Sequence, residues 1–77
     1  MNNKDRFMEV YTRKLAEERA AFPGQFNPNV TAEMVAERMR PAIDRGSYFH
    51  DTPAMRKTCK ELGIKHTRKS IEAFWFG

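Results

Sequence analysis

Apolar residues recur along this chain at spacings of three and four, the period of one face of an α-helix. Phe7, Tyr11 and Leu15 stand at i, i+4 and i+8 and are joined by Met8, predicting an amphipathic helix over 3–21 with Asn2 or Asn3 as its cap. On its remaining surface Glu9 with Arg13 and Lys14 with Glu18 fall at i,i+4, pairs worth about 0.2–0.5 kcal/mol each. This helix reads as scaffold. A second helix is expected over 31–45, with Thr31 as N-cap, Val30 and Val35 as a hydrophobic staple, and Gly46 as the C-terminal stop. Its apolar face is Met34, Val35, Met39, Ala42 and Ile43. Pro41 interrupts that pattern. It has no N–H to give the carbonyl of Glu37, so the helix should kink or divide near Arg40.

Two connectors separate these helices from each other and from the C-terminal third of the chain. In FPGQFNPNV, residues 22–30, Pro23-Gly24 suits the central positions of a type II turn, and Asn27 before Pro28 is biased away from the helical region. Phe22 and Phe26 are expected to plug the core from this loop. In SYFHDTP, residues 47–53, Tyr48, Phe49 and His50 should supply one or two core anchors.

From Thr52 onward the pattern is a helix, a glycine and a second helix. Thr52 caps, Pro53 occupies the first helical position where its missing N–H is harmless, and Met55, Cys59 and Leu62 share an inner face. Gly63 supplies the left-handed stop and Ile64 folds back on the last turn. Thr67 then caps a helix whose Ile71, Phe74 and Trp75 fall at i, i+3 and i+4. The expected fold is therefore all-α: one domain, 1–77, of four helices near 3–21, 31–45, 53–62 and 67–76, the last two forming a helix-turn-helix-like unit. In the standard DNA-binding motif the second helix buries the residues six and nine places after the glycine, here the polar Lys69 and Glu72. The unit is thus a variant, with a connector about two residues longer, that would present Arg68, Lys69 and Glu72 to a groove.

Composition narrows the setting. A chain of 77 residues with 40% hydrophobic and 31% charged positions is a small globular domain, burying about 60% of the surface its unfolded form exposes. A lone cysteine, Cys59, forms no internal disulfide and suits a reducing, cytoplasmic compartment. No apolar run approaches the roughly 18 residues of a membrane span, and the N-terminus lacks the pattern of a signal peptide.

Charge changes the picture more. Residues 1–51 carry eight Lys/Arg and eight Asp/Glu, whereas residues 52–77 carry Arg56, Lys57, Lys60, Lys65, Arg68 and Lys69 against only Glu61 and Glu72. The whole net charge of +4 lies in the helix-glycine-helix unit. Such asymmetry points to an anionic partner, nucleic acid and in particular DNA first, or an acidic host protein. The run Lys65-His66-Thr67-Arg68-Lys69-Ser70 crowds cationic groups at the positive end of a helix dipole, where a phosphate would offset them. The candidate nucleic-acid-binding set is Arg56, Lys57, Lys60, Lys65, His66, Thr67, Arg68 and Lys69. A solvated basic face is the competing account.

Chemistry beyond binding finds little footing. His50 beside Asp51 has no nucleophile or pocket assigned to it, and Cys59, His50 and His66 lack the spacing of a zinc site. No enzyme, metal or cofactor is expected. The chain ends in Phe74, Trp75 and Phe76, which about 100° steps cannot turn onto one core. Trp75 and Phe76 are accordingly candidate contacts to a partner protein or to a second copy of the chain.

The segment CKELGIKHTRKSIEAFW, residues 59–75, resembles the C-terminal part of small accessory proteins encoded by temperate phages and prophages, mostly of unknown function. The resemblance implies a phage-early regulatory or host-directed role, in the host cytoplasm.

Overall fold

A computed structural model describes residues 2–49 and 51–77, so the expectation for His50 lies outside the described residues. Four helices run in order: α1 (Asn3–Ala21), α2 (Ala32–Arg45), α3 (Pro53–Leu62) and α4 (Arg68–Phe76), with a 3-10 turn at Pro23–Gln25. Among the described residues there is no strand, and the helices form a small all-α bundle.

Each start is made by a side-chain cap of the expected kind. Asn2, Thr31, Thr52 and Thr67 accept the backbone N–H three residues on, from Asp5, Met34, Met55 and Ser70. Two of the ends are glycines in the left-handed region, Gly46 at φ 75° and Gly63 at φ 72°. At both, the N–H of the next residue reaches back five positions: Ser47 to the Ala42 carbonyl and Ile64 to the Cys59 carbonyl, each at 3.0 Å.

The first helix is the hub. It packs against α2, α3 and α4 in turn, while those three lean on α1 far more than on one another. Phe7, Met8, Val10 and Tyr11 of α1 are buried, and around them gather Ala36 and Ile43 of α2, Ala54, Met55 and Cys59 of α3, and Ile71 and Trp75 of α4. The Trp75 ring meets Phe7 edge-on, centroids 5.6 Å apart. Tyr48 enters from the second connector and is fully buried, its hydroxyl donating to the Arg68 carbonyl at 3.2 Å. Thr58, buried and polar, is satisfied locally by donating to the Ala54 carbonyl at 2.7 Å.

Several expectations are corrected. Phe22 is 54% exposed, and Phe26 is half-buried under the Arg19 guanidinium, 4.8 Å from its ring, while that guanidinium donates to the Val30 carbonyl at 2.8 Å. The loop is held to the end of α1 by a cation over an aromatic face, with neither phenylalanine in the core. Pro23-Gly24 lies in the 3-10 turn, and Gly24 does not take the positive φ of a type II turn. Met34 faces solvent, and Ala32 and Ala36 take the inner positions of α2. Small residues there let α2 approach α1. Pro41 does not divide α2, which runs unbroken to Arg45. Proline and Glu37 both lie on the exposed side, where water can serve the carbonyl that the ring leaves without a donor.

Candidate functional site

The eight residues read as a basic site fall into three groups once their neighbours are known. Arg56 and His66 are drawn to one carboxylate: Asp51 Oδ1 lies 3.2 Å from Arg56 Nε and 3.8 Å from His66 Nδ1. The His66 ring is stacked on Phe49 with centroids 5.2 Å apart, and its Nε2 is buried without a hydrogen-bond partner among the described residues. Arg68 is likewise engaged, with Nε 3.3 Å from Glu72 Oε1 and its guanidinium 5.7 Å from the centre of the Tyr48 ring. Burial, with Glu72 adding, pushes the Tyr48 phenol up to about 12, so it stays a neutral donor. Thr67 is a cap: its Oγ1 accepts from Ser70 N at 3.1 Å, so that pair is already closed before any phosphate arrives.

Lys57, Lys60, Lys65 and Lys69 form the third group. All four are exposed, and among the described residues none makes an ion pair. Lys57 and Lys60 stand one turn apart on the outer face of α3, opposite buried Met55 and Cys59. Lys65 lies in the connector and Lys69 in the first turn of α4. Their ammonium groups are compact point charges on exposed side chains, suited to an extended anion and to phosphate in particular.

Beyond Lys65 the surface is hollowed. Ile64, Lys65, Ser70, Ala73 and Phe74 border an open depression of about 580 Å³ whose far wall is Asn3. Asn3 is held there by its Nδ2 donating to the Phe74 carbonyl at 3.0 Å. A second, smaller hollow on the other side of Asn3 is bordered by Lys4, Trp75 and Phe76. A third, between α1 and α2, is of the opposite character, with Asp5, Glu9 and Glu33 on its rim.

The two aromatic residues assigned to a partner have opposite fates. Trp75 is 1% exposed, its Nε1 donating to Asp44 Oδ1 at 2.7 Å, so its assignment as a surface contact is corrected: the side chain is core. That bond, reinforced by Lys4 at 3.1 Å, holds the Asp44 carboxyl below its ordinary range. Phe76 is 58% exposed, with the Lys4 Nζ 5.3 Å from its ring centre.

Ion pairs between helices engage several of the cations elsewhere in the chain, though Arg6, Arg38 and Arg45 stay exposed without one among the described residues. Arg13 and Lys14 do not pair along α1 with Glu9 and Glu18; both cross to Glu61 of α3, Arg13 Nη1 at 2.8 Å and Lys14 Nζ at 3.1 Å. The Arg13 guanidinium grips both carboxylate oxygens and, with Lys14, holds the Glu61 carboxyl down to about 2. Arg40 bonds Asp5 at 2.8 Å. A carboxylate offered across an interface accepts two parallel N–H bonds, a geometry that a neighbour one turn along the same helix seldom matches.

The expected long connector is present, residues 63–67 lying between α3 and α4, and both helices are held by α1. Burial pushes the Cys59 thiol up, as fits an unreactive core group. Among the described residues no three His, Cys, Asp or Glu side chains are grouped to hold a metal ion, and no helix is long and apolar enough to cross a membrane. Compared with protein-family models, with curated proteins and with solved structures, the chain matches none.

Proposed function

We propose that this chain is a non-enzymatic nucleic-acid-binding protein, acting in a regulatory role of the phage type, that grips phosphates with the lysines of its C-terminal helix-connector-helix. The observation that carries the reading is the absence of ion-pair partners for Lys57, Lys60, Lys65 and Lys69 among the described residues, in a segment that holds all the net charge. Arg56 and Arg68 contribute positive charge beside them but are tied to Asp51 and Glu72, so they tune the site more than they bind.

The test is fluorescence anisotropy of labelled oligonucleotides titrated with the protein at about 50 and 200 mM salt, since phosphate contacts release counterions and weaken steeply with salt. Wild type binds at the lower salt and loses several-fold or more at the higher. The double change Lys65→Glu with Lys69→Glu abolishes binding while circular dichroism keeps its helical signal. Binding that ignores salt, or survives that double change, overturns the reading.

A second reading has its own observation. Phe76 is a large apolar side chain left open beside the Lys4 ammonium, a fit for a protein surface with an apolar anchor site, or for a second copy of the chain. Sedimentation of the protein alone and with oligonucleotide separates self-association from nucleic-acid binding.

A further inference from the structure

The proposed nucleic-acid role leaves open which form of nucleic acid is bound, and the surface beside α4 bears on that. We infer that the chain binds a single strand, DNA or RNA, along a track that passes from the Lys65 hollow over Asn3 to Phe76. This inference rests on the nucleic-acid reading and adds the class of ligand to it.

Three observations converge. The first is charge. The hollow between α1 and α2 carries carboxylates from Asp5, Glu9 and Glu33 beside the paired Arg13, whereas the two that meet at Asn3 have no Asp or Glu side chain on their rims and carry the unpaired Lys65 at one end; Lys4, at the other end, is already paired with Asp44 and adds little. An anionic chain is repelled from the former and accepted by the latter. The second is apolar surface in the same place. Ile64, Ala73 and the half-buried Phe74 floor one hollow, and Phe76, more than half exposed, edges the other. Aromatic faces set among cations form a stacking platform for unpaired bases, which every base can use. The third concerns duplex binding by insertion of a recognition helix. Helix α4 has nine residues, about 13 Å, with Ile71 and Trp75 sunk in the core and Arg68 tied to Glu72. Besides Arg68, held to Glu72, what it offers to solvent is the stripe Lys69, Ala73 and Phe76, one cation followed by a small and a large apolar side chain. Of the side chains that read base edges in a major groove, that stripe carries one lysine and no amide or free guanidinium. It suits a ribbon of bases lying flat, with phosphates reaching Lys65 and Lys69.

Ala73 matters to the geometry because it is exposed and small. A longer side chain there occupies space in the Lys65 hollow that it lines.

The experiment titrates labelled oligo(dT) and oligo(U) of about 12 nucleotides, within the span of known single-strand sites, and a hairpin duplex of matching length, at about 50 mM salt. Wild type, Phe76→Ala and Ala73→Glu are compared after their helical spectra are shown to agree. At least one single strand binds more tightly than the duplex, Phe76→Ala weakens that binding by about fivefold or more, the loss of one stacked base, and Ala73→Glu weakens it further; the two homopolymers show which sugar is preferred. A duplex bound as tightly as either strand, or a Phe76→Ala protein with unaltered single-strand affinity, overturns the inference and leaves the nucleic-acid reading standing. Failure of all three oligonucleotides to bind overturns both.

Discussion

The flanks of α1 and the rim formed by α3, its connector and α4 are both rich in charge, yet they use it in opposite ways. Along α1, Lys4, Arg13 and Lys14 meet Asp44 and Glu61 from other helices, and Arg40 of α2 meets Asp5 of α1. These contacts stitch the bundle. On the rim, Lys57, Lys60, Lys65 and Lys69 are exposed and make no ion pair among the described residues. A cation already held by a carboxylate has little to give a ligand, since a new partner must first compete with the old one. Free lysines on a folded surface keep their full attraction for phosphate, steered over about 8–10 Å at moderate salt. A count of basic residues therefore locates a partner only after the internal pairs have been subtracted.

The same contrast separates neighbours in sequence. Trp75 belongs to the stitched region and Phe76 to the open one. Truncating Trp75 to alanine removes a fully buried ring and leaves Asp44 without its indole donor, an expected loss of about 3–5 kcal/mol. Against a typical total of about 5–15 kcal/mol for a small domain, much of the stability goes. Chemical denaturation followed by circular dichroism measures it, and a Trp75→Ala protein as stable as wild type would erase the distinction between the two regions. Phe76→Ala, by contrast, leaves the denaturation midpoint close to that of wild type.

Charge reversal sharpens the comparison next. Lys57→Glu with Lys60→Glu lowers oligonucleotide affinity by about tenfold or more, because two phosphate contacts become repulsions, with little change in the unfolding midpoint. Arg13→Glu does the reverse, placing a carboxylate against Glu61 and moving the midpoint while affinity stays near that of wild type. Anisotropy and denaturation on the same two proteins test both halves of the statement.

Smaller still is the effect of the turn that joins the rim to the bundle. Gly63→Ala forces a left-handed conformation on a residue with a side chain, costing about 1–2 kcal/mol; no atom stands within 4 Å of the new carbon, so backbone strain is the whole effect. At Gly46 the added carbon also meets Arg68 Nη2 at 3.1 Å, so Gly46→Ala is expected to lose slightly more. A thermal melt of the two variants ranks them.

The mildest prediction concerns acid. The Glu61 carboxyl is held at about 2 by Arg13 and Lys14 against an ordinary 4.5, so its contribution to stability is present above pH 4.5 and is lost as pH falls through about 2. Asp44, held down by Trp75 and Lys4, acts in the same direction. Glu61→Gln should flatten the fall in denaturation midpoint across that window. An equally steep fall in the variant would mean that Glu61 is not the group whose ion pairs fail in acid.

How the regions come to be told apart shows what a linear reading can reach. Caps and stops are legible because they are local: Thr31, Thr52 and Thr67 need only the backbone three residues away, and Gly63 needs only its own φ. The aromatic residues of the first connector escape such a reading for the opposite reason. Whether Phe26 enters a core or lies under Arg19 depends on the angle at which the chain leaves α1, and no pattern encodes that angle. Thr58 gives no signal as a buried residue, since its hydroxyl is silenced by a carbonyl of its own helix.

The linear order of residues was enough to specify four helices, where each begins, that two of them end at left-handed glycines, and that the net positive charge lies after residue 51. Each of these arises from interactions within a few residues or from simple addition of charge. Packing in three dimensions was needed to make α1 the hub, to put Trp75 inside and Phe76 outside, and to select which cations are held in pairs. Those outcomes depend on groups brought together from distant positions, such as Asp44 with Trp75 and Arg13 with Glu61, whose proximity is set by how the helices pack and not by any spacing along the chain.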